Sequence, residues 1–192
     1  MHMNRFSALF FVAVLLASGS FSARAQVVPA ATRGQFSVTV GGIGSAFQPD
    51  YEGGGVPSTS SNRLYGLGGY VDVKFTRWFQ AEAEGRWLKF NQLDNINQSN
   101  YLLGPRVPIH TFVHRVTPYG KVLFGFTNMN FEFNEATGRF TTIAYGGGVD
   151  IKATKRISVR AFDFEYQQLP TWYNHQALYP YGGSVGVSYR IF

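Results

Sequence analysis

Residues 79–90 read Phe-Gln-Ala-Glu-Ala-Glu-Gly-Arg-Trp-Leu-Lys-Phe. The even positions carry Gln80, Glu82, Glu84 and Arg86, while the odd positions carry Phe79, Ala81, Ala83, Gly85 and Trp87. A period of two belongs to a strand, so the stretch predicts a strand with one polar and one apolar face. In a soluble sandwich or barrel the apolar face turns inward. A chain with several such strands, and charges that face each other, also closes the other way round. The ends of the chain and its turns decide between the two.

The amino terminus points to export. Arg5 precedes an apolar run over residues 6–17, and small residues follow it up to Ala23-Arg24-Ala25. This is the pattern of a secretory signal peptide with an A-x-A cleavage site, so residues 1–25 form the leader and the mature domain, 26–192, begins at Gln26. The apolar run is shorter than the roughly 20 residues of a spanning helix. What remains is 167 residues with 15 basic and 11 acidic side chains, the size of one domain. No later segment is apolar enough for a membrane helix, so residence in a membrane requires strands. Cysteine is absent, which removes disulfides, thiol nucleophiles and thiolate metal sites. The positive balance is spread thinly, with no basic run to argue for nucleic acid.

The same alternation recurs along the mature chain and predicts eight strands. They fall at 35–47, 63–75, 79–90, 101–112, from about 117 onward, 140–153, 157–167 and 178–192. Polar stretches at 48–62, 91–100, 134–138 and 168–177 separate some of them, and links of a few residues separate the others. Long connections are expected after strands one, three, five and seven and short ones after two, four and six. That alternation marks an all-β, eight-stranded antiparallel up-and-down transmembrane barrel, with long loops outside and short turns in the periplasm. Two aromatic girdles are expected: Phe75, Trp78, Phe79 and Tyr119 near the short turns, and Phe47, Tyr65, Trp87, Tyr101 and Trp172 toward the long loops. In the seventh strand Asp163 and Glu165 fall on the apolar parity, which calls for a bulge near Phe162 or a strand already outside the hydrocarbon zone.

The polar parity gathers Asp72, Glu82, Glu84 and Asp150 with Lys74, Arg86, Arg106, Lys121, Lys152, Arg160 and Arg190. Inside a narrow lumen such charges must pair, so a ladder of ion pairs is expected across the interior. The surplus of three bases leaves room for a narrow porin-like channel with weak anion preference. The glycine clusters 41–44 and 146–148 make room for large inward neighbours, whereas 53–55 is a loop tip. No catalytic residue, cofactor or metal site is predicted. His110, His114 and His175 lack ligand spacing; His175 at the outer rim, with Asp163 or Glu165 to orient it and Ser184 on strand eight, would form a lipid-modifying triad only given mutual hydrogen-bond geometry, against the reading of a surface-loop histidine.

Several runs carry a resemblance: the 79–88 strand, Tyr-Leu-Leu-Gly-Pro-Arg at 101–106, Thr-Pro-Tyr-Gly-Lys-Val-Leu-Phe-Gly at 117–125, Gly-Gly-Gly-Val-Asp at 146–150, and the final Phe192. Together with the leader, the mature chain resembles the small outer-membrane β-barrel proteins, the family that groups the OmpA transmembrane domain, OmpX and the opacity proteins. The resemblance implies insertion by the outer-membrane assembly machinery, which reads a terminal aromatic strand. Here the position two before Phe192 is Arg190, so Tyr189, Ile191 and Phe192 stand as the assembly signal in a weakened form. The peptidoglycan-binding domain of full-length OmpA proteins is expected to be absent. The expected partners are outer-membrane lipid or lipopolysaccharide and the assembly machinery, the expected state is a monomer, and the expected role is structural or surface-interacting. The opposite packing, a soluble lipocalin-like periplasmic carrier, requires Val, Phe and Tyr inside and Glu82, Glu84 and Arg86 outside.

Overall fold

The computed structural model describes residues 36–49, 63–90, 97–109, 115–130, 137–170 and 177–191. The leader, the cleavage site, His110, His114, His175, Trp172 and Phe192 lie outside them. Eight strands follow one another: β1 Ser37–Gln48, β2 Leu64–Lys74, β3 Gln80–Phe90, β4 Asn97–Pro108, β5 Val116–Asn130, β6 Thr137–Lys152, β7 Ile157–Gln168 and β8 Tyr181–Arg190. Each pairs antiparallel with the next, and β8 returns to pair with β1, closing the barrel.

Burial settles which face is inside. Glu82, Arg86 and Arg160 are fully buried, whereas Leu67 is 64 % exposed, Leu103 60 % and Val185 57 %. Along β3, Glu82, Glu84 and Arg86 point in and Ala83 and Trp87 point out. This is the reverse of what the lipocalin-like reading requires. A largely apolar exterior on eight closed strands suits hydrocarbon, because the backbone groups pair along nearly the whole sheet.

Three boundaries differ from the sequence reading. Strand β4 begins at Asn97 and ends at Pro108, so residues 97–100 are strand rather than loop. The reason is that Gln98 and Asn100 face the lumen and bond there, Gln98 Nε2 donating to Asn100 Oδ1 at 2.9 Å. In an inside-out barrel a polar tract is no loop signal. Strand β6 starts at Thr137, inside the expected turn, and β8 starts only at Tyr181. The alternation of connection lengths is also weaker than expected, since 91–96 and 131–136 are no longer than 109–115.

The parity break in β7 is a bulge. Val149 pairs with Phe162 and Asp150 with Arg160, which leaves Ala161 as the extra residue. Ala161 and Phe162 both face out, so Asp163 and Glu165 return to the lumen, each 1 % exposed. Two of the aromatics assigned to the girdles are likewise inside: Phe47 is 1 % exposed and Tyr119 3 %. Phe75, Trp78, Phe79, Tyr65, Trp87 and Tyr101 do face out.

Glycines admit the large inward rings. Gly41 lies opposite Tyr70 across β1 and β2, and a Cβ on it would stand 2.4 Å from the Tyr70 ring. Gly148 lies opposite Tyr119 across β5 and β6, where a Cβ would meet the Tyr119 hydroxyl at 2.7 Å. Each tyrosine thus leans over a bare stretch of neighbouring backbone.

Candidate functional site

The lumen is filled by a continuous column of charge. Nearest the short turns, Arg106 of β4 bonds both Asp72 of β2 and Asp150 of β6. Above it Arg160 of β7 reaches Glu82 at 2.7 Å, Asp163 at 3.3 Å, Asp72 at 3.4 Å and Asp150 at 3.5 Å. Lys121 of β5 is next, its Nζ 2.7 Å from Asp163, 2.9 Å from Glu82, 3.1 Å from Glu84 and 3.2 Å from Glu165. Arg86 of β3 closes the series, bonding Glu84 and lying 3.1 Å from Glu165. Gln167 then donates to Glu165 at 2.7 Å, and Gln98 to Gln167 at 3.3 Å.

Six carboxylates are therefore shared among four cations, each cation touching at least two. Sharing matters because a charge taken from water costs several kcal/mol unless its partners are well placed and its remaining donors are used. Aromatic rings help: the Arg160 guanidinium lies 3.6 Å from the centroid of Tyr70 and 5.2 Å from that of Tyr119, and Arg106 lies 3.6 Å from Tyr119. Phe47 does the same for Arg86 at 4.3 Å. The column draws its charges from β2 to β7, and among the described residues β1 and β8 supply none of its ion pairs.

Of the eleven charges assigned to the interior, eight stand in the column: Asp72, Glu82, Glu84, Arg86, Arg106, Lys121, Asp150 and Arg160. Lys74, Lys152 and Arg190 do not join it; they line a cavity at the short-turn end. Asp163 and Glu165 join it although the sequence parity set them on the apolar side. With them included, the expected surplus of bases in the packed interior becomes an excess of two carboxylates. The signal that finds them is chemical: two acids on the outward, apolar parity are cheaper to return to the lumen by a bulge than to leave in hydrocarbon.

The lumen is not ionic throughout. Toward the long connections it is lined by Phe47, Leu64 and Leu88 on one wall and by Met129, Leu169 and Leu178 on another, with Phe140 against the latter. Thr127 and Thr142 bond at 2.6 Å, and Leu102, Leu123 and Ala144 pack together beside the column, Leu102 lying opposite Glu84.

Glu82, Glu84 and Asp163 lie within 4.8 Å of one another, a spacing that invites a metal ion. Lys121 Nζ bonds all three and takes the place a cation would hold. The acids considered for a triad with His175 are committed in the same way: Asp163 to Lys121 and Arg160, Glu165 to Arg86 and Lys121. Ser184 faces the lumen and bonds Ser45 at 2.8 Å. At the last strand Tyr189 and Ile191 point outward and Arg190 lines the cavity.

Among solved structures, the chain is similar to the N-terminal β-barrel domain of OprF from Pseudomonas aeruginosa, with 14% identity over 82% of this chain and 98% of that one, at a TM-score of 0.55. Neisserial surface protein A gives a TM-score of 0.57 at 11% identity, covering 79% of this chain and 96% of its own. OprG of Pseudomonas aeruginosa gives 0.51 at 12% identity, covering 82% and 96%. At these identities the likeness is one of fold. No curated protein matches. Residues 13–190 match the family described as outer membrane protein beta-barrel domain. The closed eight-stranded sheet, its apolar exterior and that match together place the chain in the family: it is an outer-membrane β-barrel protein.

Proposed function

We propose that this protein is a non-enzymatic outer-membrane barrel with a closed lumen, whose role is structural or surface-interacting and is carried by the connections at the far end from the short turns. The observation that supports this reading is the filled interior, in which the ion-pair column runs into apolar clusters at the long-connection end. A barrel of eight strands has an interior just wide enough for side chains to fill. The buried acids are engaged with buried cations, which leaves them poorly placed as a general acid or base. The leader is removed before Gln26 on export, and lipid or lipopolysaccharide and a surface partner meet the loops.

The runner-up is the narrow channel. Its anion preference rested on a surplus of bases, and the column instead has more carboxylates than cations, which weakens that reading. Conductance of the purified barrel in planar bilayers separates the two. The expected result is no steady conductance above the bare bilayer; a stable, ion-selective step would establish the channel and overturn the closed-lumen reading.

A further inference from the structure

The two ends of the lumen are built differently. At the short-turn end it opens into a cavity of about 250 Å³, room for roughly eight waters. Four cations line it that enter no ion pair among the described residues: Lys74 at the end of β2, Arg77 in the turn after it, Lys152 at the end of β6 and Arg190 at the end of β8. The sheet register sets hydroxyls between them. Lys152 pairs with Ser158, Ser158 with Ser188, Arg190 with Thr39, and the β1 strand that carries Thr39 runs beside Lys74. Passing round the mouth from β6 to β2, the order is cation, hydroxyl, hydroxyl, cation, hydroxyl, cation.

The carboxylates on the cavity floor do not answer these charges. Asp72 and Asp150 are both held by Arg106 and Arg160. The four rim cations exceed the column's deficit of positive charge by two, and they stand on its solvent side. A recess whose rim carries an excess of one sign of charge, with low-dielectric walls around it, focuses the field and draws in counter-ions.

We propose that this vestibule binds a small soluble oxyanion of the phosphate class, entering from the short-turn side. Donors converge on the cavity from five consecutive strands, so a tetrahedral dianion, with oxygens pointing several ways, meets more of them than a planar carboxylate does. The Lys74 and Lys152 ammonium groups and the Arg190 guanidinium donate to its oxygens, and Thr39, Ser158 and Ser188 supply hydroxyl donors.

The test is calorimetric titration of the full-length barrel, folded in an uncharged maltoside detergent, with sodium phosphate against sodium chloride at matched ionic strength. Saturable binding of phosphate and none of chloride is expected. The pair Lys74→Gln and Lys152→Gln together weakens it by about tenfold or more, as expected for losing two charge-assisted hydrogen bonds. Lys155→Gln, an exposed cation in the neighbouring turn that does not line the cavity, leaves binding unchanged. Each variant is first shown to be folded by its migration without boiling, and if the pair fails to fold, Lys152→Gln alone is read instead, with a smaller loss expected. Absence of saturable binding in the unaltered protein, or an equal loss in Lys155→Gln, overturns the proposal.

Discussion

Single residues in this lumen act through the charges they share. Lys121 is the sharpest case, because one ammonium group lies within 3.2 Å of Glu82, Glu84, Asp163 and Glu165. Lys121→Met keeps the unbranched shape of the side chain, one atom shorter, and removes the charge, leaving four buried carboxylates with the arginines alone. The expected cost is about 3–5 kcal/mol, the range for breaking one side of a buried pair. Urea unfolding in detergent measures it, and adding Glu82→Gln should recover part of the loss. A double variant no better than the single one would mean that the column is not electrostatically coupled at this level. The residue scale also shows where the sequence misleads. Tyr119 and Phe47 were placed by their distance along the chain from the turns, whereas parity alone puts Tyr119 on the side of Lys121 and Phe47 on the side of Gly41 and Ile43. Their large rings belong inside because they cover Arg106 and Arg86.

At the scale of the strand, the alternation was legible and the bulge was not fixed. Period two in β2, β3 and β6 assigns the faces without any tertiary information, since every second residue meets the same environment. The position of an extra residue in β7 depends on its neighbours on both sides, and those pairings are long-range. Two deletions distinguish these cases. Removing Ala161 leaves Arg160 inward, Phe162 outward and Asp163 inward, so the faces survive and a heat-modifiable barrel is still expected. Removing Ala83 from β3 brings Glu84 into an outward position and carries Arg86 with it. A one-residue slip exchanges the faces of everything beyond it, so that variant should show no compact form before boiling. Electrophoretic mobility in mild detergent, with and without boiling, reads both; equal behaviour would show that β7 needs its bulge for closure. The ends of β4 and β6 were misread for a related reason, because amides such as Gln98 and Asn100 are ordinary lumen residues here rather than loop residues.

For the whole molecule, the barrel class and the strand count were open to sequence reading because they rest on a repeated local signal. The composition of the filled lumen was not, because it depends on which side chains meet across the barrel. The absence of β1 and β8 from the ion-pair column bears on the order of assembly. Where the two ends of the chain meet, the inward groups are mostly small: Gly41, Ile43 and Ser45 against Gly182, Ser184, Gly186 and Ser188, with the Ser45 and Ser184 hydroxyls in contact at 2.8 Å. A curled sheet of the six middle strands already owns every member of the column, so the final stitch between first and last strand brings no new charge out of water. Opening should follow the same line in reverse. Amide hydrogen exchange in detergent should reach β1 and β8 before β3 to β5, and uniform protection around the barrel would count against it. The chain thus keeps the buried ion pairs away from its closing seam, where the last strand to arrive makes backbone bonds and a serine pair.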